Sequence, residues 1–262
     1  MPGPREPRGE APAYAAGPPR ITREQATLEL AKRWVPGDHL TLIGPTGRGK
    51  STLLAGVLPH VQHDRVVILC PKGADPVFAE LGHPTRVWPP KRGWRDIAAD
   101  LFAGVEDRHA ARPVVWRVEL DVKSMDDFGR MAHVFRSVLG SAMARAQNPP
   151  DSLAIILDDS RIISDPKHMG LGQLVVGNML IARSKRVSIV NNYQAPRWVP
   201  REGIDQATQI VMWQNRDRDV VKRLGEIGNL DLDLIRSTMG TLDYHEALWI
   251  DGRTDELRII GQ

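Results

Sequence analysis

The sequence predicts an α/β fold, a mainly parallel central sheet with helices on both faces. Three observations predict it. Apolar runs of strand length recur along the 262 residues. Most of the gaps between them carry helical periodicity. The runs are rich in Val, Ile and Leu with little polar alternation, as strands covered on both faces are. At 42% hydrophobic and 26% charged residues, the chain can bury a large core as one large domain or two small ones.

Taken in order, residues 1–20 ("MPGPREPRGEAPAYAAGPPR") are dominated by Pro, Gly and Arg and are expected to form a disordered arm. They lack the apolar core of a signal peptide. "REQATLELAKRW" has helical spacing, with Thr22 as its expected N-cap. Strands are expected at 39–44, 65–70, 113–120, 153–159, 187–192, 209–213 and 246–250. The clearest helix spans about 124–146, where Met125, Phe128, Met131, Phe135, Val138, Leu139 and Ala142 recur every three or four residues. Ser124 and Asp127 are its candidate capping pair. The Pro-rich "RVWPPKRGWR" (86–95) reads as a surface loop or small insertion.

The single cysteine, Cys70, excludes an internal disulfide and fits a reducing cytoplasm. No apolar run approaches the roughly 20 residues that a membrane-spanning helix needs. The net charge is +3, and between Arg183 and Arg223 nine Lys or Arg face four acids. That local excess is compatible with a polyanionic partner. His60 and His63 have an H-x-x-H spacing, but two histidines without a second cysteine do not fill a tetrahedral zinc site, and both are expected at the surface. Trp88, Trp94 and Trp198 lie near basic residues, where either stacking on bases or ordinary packing is open.

Gly44-Pro45-Thr46-Gly47-Arg48-Gly49-Lys50-Ser51 fits G-x-x-x-x-G-K-[ST], with an apolar strand before it and a helix that begins near Gly49 and continues through Ser51 and Thr52. The glycines let backbone N–H groups wrap phosphate, and the helix N-terminus adds partial positive charge. Lys50 is the expected ligand of the β- and γ-phosphates and Ser51 of Mg²⁺. "LAIILDD" ends in the acids such a loop requires. Asp158 is assigned to the Mg²⁺ shell and Asp159 to the attacking water, with a helix cap by Asp159 as the alternative. "VSIVNNYQAP" brings Asn191, Asn192 and Gln194 to the end of a further strand, where a neutral amide can sense a γ-phosphate or simply sit in a loop. ATP and Mg²⁺ are therefore the expected cofactors.

Together these residues resemble the FtsK–HerA class of P-loop ATPases over roughly residues 36–250. The stretches that carry the resemblance are "IGPTGRGKST", "VVILCPKGADPVFAEL", "AIILDDS" and "ARSKRVSIVNNYQAPRWVPREGIDQATQIVMW". Pro71 and Lys72 match a family Asp-Pro-Lys, with Cys70 at the acid position. Asp158-Asp159 replaces Asp-Glu, and Gln194-x-Pro196 matches the family's Gln-x-Pro. The resemblance implies one RecA-like P-loop NTPase domain over 21–262, with Gln194 as sensor. It implies an arginine finger reaching a neighbouring subunit, with Arg216 or Arg218 as candidates and Arg183 and Arg186 as rivals. It further implies an ATP-hydrolysing motor, a homo-oligomeric, hexameric ring acting on double-stranded DNA, recruited by a portal, capsid or transfer-complex protein in a cellular or host cytoplasm. The alternative is an ATPase that drives protein assembly or secretion with no DNA in its pore. The absence of an LSGGQ-like signature before the acid strand argues against an ABC-type ATPase.

Overall fold

The computed structural model describes residues 14, 17–73, 75–81, 85–88, 113–119, 126–145, 152–214 and 231–261. The first half of the chain forms β1 (Arg20–Ile21), α1 (Arg23–Arg33), β2 (His39–Ile43), α2 (Lys50–Val57) and β3 (Arg65–Cys70). α3 (Pro76–Ala79), β4 (Thr85–Trp88), β5 (Val114–Glu119) and α4 (Asp126–Arg145) follow. The second half forms β6 (Leu153–Leu157), α5 (Ser160–Ser164), α6 (Gly172–Ala182), β7 (Val187–Tyr193) and α7 (Arg201–Asp205). It closes with β8 (Ala207–Trp213), α8 (Leu232–Thr241), β9 (Ala247–Asp251) and β10 (Glu256–Ile260).

Among the described residues the strands form one sheet in the order β1-β10-β9-β8-β2-β7-β6-β3-β5-β4. Every pairing from β8 through to β4 is parallel, while β9 runs antiparallel to both β8 and β10. The central strands are buried along their whole length, as parallel strands under helices must be. Successive side chains alternate between faces. Val67 and Leu69 of β3 join Met131 and Phe135 of α4 and Met179 of α6 in one core. Val66 and Ile68 join Leu30 of α1 and Leu53 and Leu54 of α2 on the other face. A third core lies under α7 and α8, where Ile204 and Ile235 meet Met212 and Leu248.

The expected α/β architecture is observed, and all seven expected strands are present with ends shifted by a residue or two. α1 begins as expected. The Thr22 hydroxyl accepts from Gln25 N–H at 3.2 Å while Gln25 Oε1 accepts from Thr22 N–H at 3.0 Å, a reciprocal cap. The long helix spans Asp126–Arg145; Ser124 lies outside the described residues, and the Asp127 carboxylate pairs with Arg130.

Three strands, β1, β4 and β10, were not expected. β4 overlaps the start of the stretch read as a loop, where Pro89 and Pro90 follow immediately and mask a four-residue edge strand. β1 has only two residues and carries no periodicity. It begins at Arg20, the end of the expected arm, and Tyr14 within that arm accepts from Leu257 N–H through its hydroxyl at 2.6 Å. His63 is a further correction. It is buried, with Nε2 2.7 Å from Ser188 Oγ and its ring 4.6 Å from that of Trp34, whereas His60 is exposed as expected. Ser188 lies more than a hundred residues away on β7, so no local pattern announces the pairing.

Candidate nucleotide site

The glycine loop joins β2 to α2 at the edge of the sheet where the parallel strands end, which is where open α/β sheets bind ligands. Gly44 N–H donates to Tyr193 O at 3.0 Å, tying the start of the loop to the end of β7. A Cβ at Gly44 would lie 2.7 Å from that of Trp213, so the end of β8 leaves no room for a side chain. Gly49, at φ 101°, turns the chain through the left-handed region into the first turn of α2. Lys50 lies back along the loop, donating to Gly44 O at 2.6 Å and Pro45 O at 2.9 Å. Burial pushes its ammonium down to about 8, while Asp158 and Asp159 pull the other way. Thr46, Gly47, Ser51 and Thr52 line the cleft above the loop, which encloses about 490 Å³. Arg48 turns aside, its Nη1 donating to Tyr244 O at 2.8 Å.

Opposite stand the acids at the end of β6. They are not on the strand beside β2, since β7 lies between, hydrogen-bonded to both. Asp158 N–H donates to Leu69 O at 3.0 Å, and its Oδ1 accepts from Asn192 Nδ2 at 3.2 Å. Burial, with Asp75 and Asp159 adding like charge, pushes the Asp158 carboxyl up to about 6. Asp159 is 6% exposed and holds a left-handed backbone at φ 70°. Its two oxygens divide two tasks. Oδ1 accepts from Ile162 N–H at 3.4 Å as the cap of α5, and Oδ2 accepts from Gln194 Nε2 at 2.7 Å and pairs with Lys72. The helix-cap alternative and the cleft-facing position are therefore both realised by one side chain.

Pleating separates the amides of β7. Asn192 and Gln194 face the cleft, whereas Asn191 points to the other side of the sheet, its Nδ2 3.3 Å from Met179 Sδ. Beyond Gln194, Trp198 lies under the guanidinium of Arg161 from α5, 3.5 Å from the ring centroid, so the amide's segment and the helix capped by Asp159 are packed together. Arg216 and Arg218 lie outside the described residues. Arg183 and Arg186 precede β7 at the opposite edge of the sheet, where Arg186 O accepts from Leu153 N–H at 3.2 Å.

Sequence reasoning missed Asp75. It caps α3 by accepting from Val77 N–H at 2.8 Å, and its other oxygen accepts from the Ser51 hydroxyl at 3.1 Å. Asp75-Pro76 is a readable helix start, but nothing local says that the helix begins at the glycine loop. Cys70, at the family's acid position, is wholly buried and its thiol is pushed up by burial, so it stays neutral. Asp75, five residues on, is the carboxylate that this segment brings to the cleft. Arg23 and His245 also line the cleft and had no sequence signal. Ser51, Asp158 and Asp75 offer hard oxygen donors suited to Mg²⁺. Among the described residues no cluster of three or more His, Cys, Asp or Glu could hold a metal by itself.

No family model and no curated protein matches the chain. Solved structures do. B204, the DNA-packaging ATPase from Sulfolobus turreted icosahedral virus, superposes with a TM-score of 0.55 at 15% identity, over 87% of this chain and 98% of that one. The chain shares the fold of that ATPase. B204 from Sulfolobus turreted icosahedral virus 2, in complex with ATPγS, gives a TM-score of 0.51 at 13% identity over 87% and 98% of the two chains. The cytoplasmic domain of the Thermomonospora curvata type VII secretion ATPase EccC gives 0.54 at 15% identity, covering 86% of this chain and 25% of that one. In this fold Thr46, Gly47 and Gly49–Thr52 of the glycine loop, Asp158 and Asp159, and the amides of Asn192 and Gln194 meet around one cleft. Among the described residues no helix is long and apolar enough to cross a membrane.

Proposed function

We propose that the protein is a Mg²⁺-dependent ATPase motor that moves double-stranded DNA, in genome packaging or DNA transfer, as a ring of identical subunits, six in number. The observation that carries the ATPase reading is the convergence of Lys72 and Gln194 on one Asp159 oxygen across the cleft from Lys50. A carboxylate so placed accepts a proton from, or orients, a water that attacks the terminal phosphate.

The other residues divide the remaining work. Backbone N–H groups from Gly47 to Thr52 cradle the phosphates, and Lys50 leaves its loop carbonyls for the β- and γ-oxygens. Ser51 and Asp158 would hold the magnesium ion, which would supply neutralisation of the phosphate charge. Gln194 keeps contact with Asp159 and registers the loss of the γ-phosphate. Arg216 or Arg218 of an adjacent subunit serves as the finger that completes the site.

The DNA reading draws support from the near one-to-one match in extent with a DNA-packaging ATPase, 87% of this chain on 98% of that one. The basic excess between Arg183 and Arg223 supports it too, because backbone phosphate contact suits a sequence-independent motor. The second reading, a motor for protein assembly or secretion, is favoured by the likeness to the secretion ATPase domain. ATP turnover with and without double-stranded DNA, across a salt series, separates them. Stimulation by DNA that fades with salt supports translocation. Turnover indifferent to DNA supports the second reading, and no turnover at all refutes both.

A further inference from the structure

The acids and Gln194 occupy one side of the phosphate loop, and the other side has no role so far. β9 is antiparallel to β8, with Trp213 opposite Ala247 and Met212 opposite Leu248. The turn that enters β9, residues 243–246, therefore stands at the same sheet edge as the glycine loop. It lies two strands from β2 on the β8 side, as β6 lies two strands away on the β7 side. A triphosphate whose terminal phosphate faces Asp159 must extend its sugar and base toward this turn.

The turn is held with unusual care for an exposed loop. Glu246 N–H donates to Asp243 O at 3.1 Å, and Glu246 Oε2 accepts from Asp243 N–H at 2.9 Å. Three arginines converge on it, two from the β1–α1 stretch and one from the glycine loop. Arg20 pairs with the Glu246 carboxylate, Arg23 Nη2 lies 3.4 Å from His245 O, and Arg48 Nη1 donates to Tyr244 O at 2.8 Å. What they fix in place is a ring that is 57% exposed, that of Tyr244. Arg48 lies over this ring at 3.7 Å from its centroid, and His245 meets it edge-on at 4.7 Å. A Cβ at Gly47 would come within 4.0 Å of the Tyr244 hydroxyl, so the ring stands directly beside the phosphate loop.

We propose that Tyr244 is the platform on which the base of a purine nucleoside triphosphate stacks, with Arg23 and His245 forming the wall beside the sugar. The inference rests on the reading of the cleft as a nucleotide site. Stacking on a ring is indifferent to the donor and acceptor pattern of the base. The site therefore prefers purines to pyrimidines through contact area and separates adenine only weakly from guanine.

The test is calorimetric titration of the full chain, in magnesium buffer, with ATPγS and with inorganic tripolyphosphate, which has no base. Tyr244→Ala should weaken ATPγS about tenfold and leave tripolyphosphate unchanged, and Tyr244→Phe should bind both as the wild type does. Unchanged ATPγS affinity in Tyr244→Ala overturns the proposal. So does an equal loss of both ligands, since the ring would then be supporting the loop rather than the base. Wild-type protein that binds neither ligand refutes instead the nucleotide reading on which the proposal stands.

Discussion

Gln194 Nε2 donates to Asp159 Oδ2 at 2.7 Å, across a junction between two adjacent strands that end at the same edge of the sheet. The same oxygen pairs with Lys72 from the segment after β3. Three successive strands thus deliver one carboxylate, one amide and one ammonium to a single point opposite the glycine loop.

Asp159→Asn should bind ATP as tightly as the wild type and lose roughly 100-fold or more in turnover, the scale of a lost general base. Asparagine tolerates the left-handed backbone at this position and can still cap α5, so folding should be preserved. Paired titration and single-turnover assays check this. Loss of binding rather than of turnover would mean that the two aspartates have exchanged roles.

The pH dependence of kcat/KM should be bell-shaped. Asp158, pushed up to about 6, becomes protonated as the pH falls through that value and ceases to be an anionic metal ligand. Lys50, pushed down to about 8, loses its charge as the pH rises past it. Asp75→Asn removes a negative neighbour that raises the Asp158 carboxyl, so the acid limb should move to lower pH with the alkaline limb in place. An acid limb that stays put in that variant would show that Asp75 does not act on Asp158.

Lys72→Met should leave nucleotide affinity within a few fold and lower kcat, because it frees an Asp159 oxygen without touching the phosphate loop. In subunits mixed with wild type the loss should scale with the mutant fraction, since Lys72 and Asp159 belong to one chain. Arg216→Ala or Arg218→Ala should instead poison mixed rings more than proportionally if that arginine completes a neighbour's site. Activity plotted against mutant fraction distinguishes the two patterns.

Stability should fall below neutral pH through two buried histidines. His39 Nδ1 accepts from Ile189 N–H at 3.0 Å while its Nε2 lies 2.9 Å from Met179 O, an arrangement that only the neutral ring satisfies. Burial pushes both His39 and His63 down to about 4. The unfolded chain takes up protons first, near pH 6.5, so stability is fully present above that value and is lost as the pH falls toward 4. Each ring contributes at most ~3 kcal/mol. Urea unfolding between pH 7 and pH 4 measures the decline, and a flat profile would contradict it.

Much of this site was legible in the chain. The glycine motif and the two aspartates are contiguous, so their chemistry reads locally, and Gln194 was found through its Gln-x-Pro context. What escaped depends on which strands become neighbours. Nothing in "VSIVNN" states that β7 inserts between β2 and β6. Nothing in "GADP" states that Asp75 will meet Ser51. The turn at residues 243–246 escaped because its distinction lies in the partners that hold it, which come from the first fifty residues. His63 was misread because its burial depends on Ser188, on a strand that the local spacing could not place beside it.

The insertion of β7 sets a dimension. Adjacent strands in a sheet lie about 4.8 Å apart, so two steps separate the glycine loop from the acids by about 10 Å. The gap is a whole number of ladder rungs and cannot narrow continuously. With the proposed nucleotide in place, the parts left to adjust when it is shortened by a phosphate are the side chains at the rim and the packed Arg161–Trp198 pair behind them. The sheet acts as a fixed gauge, and any stroke the molecule makes must originate in what is mounted on its edge.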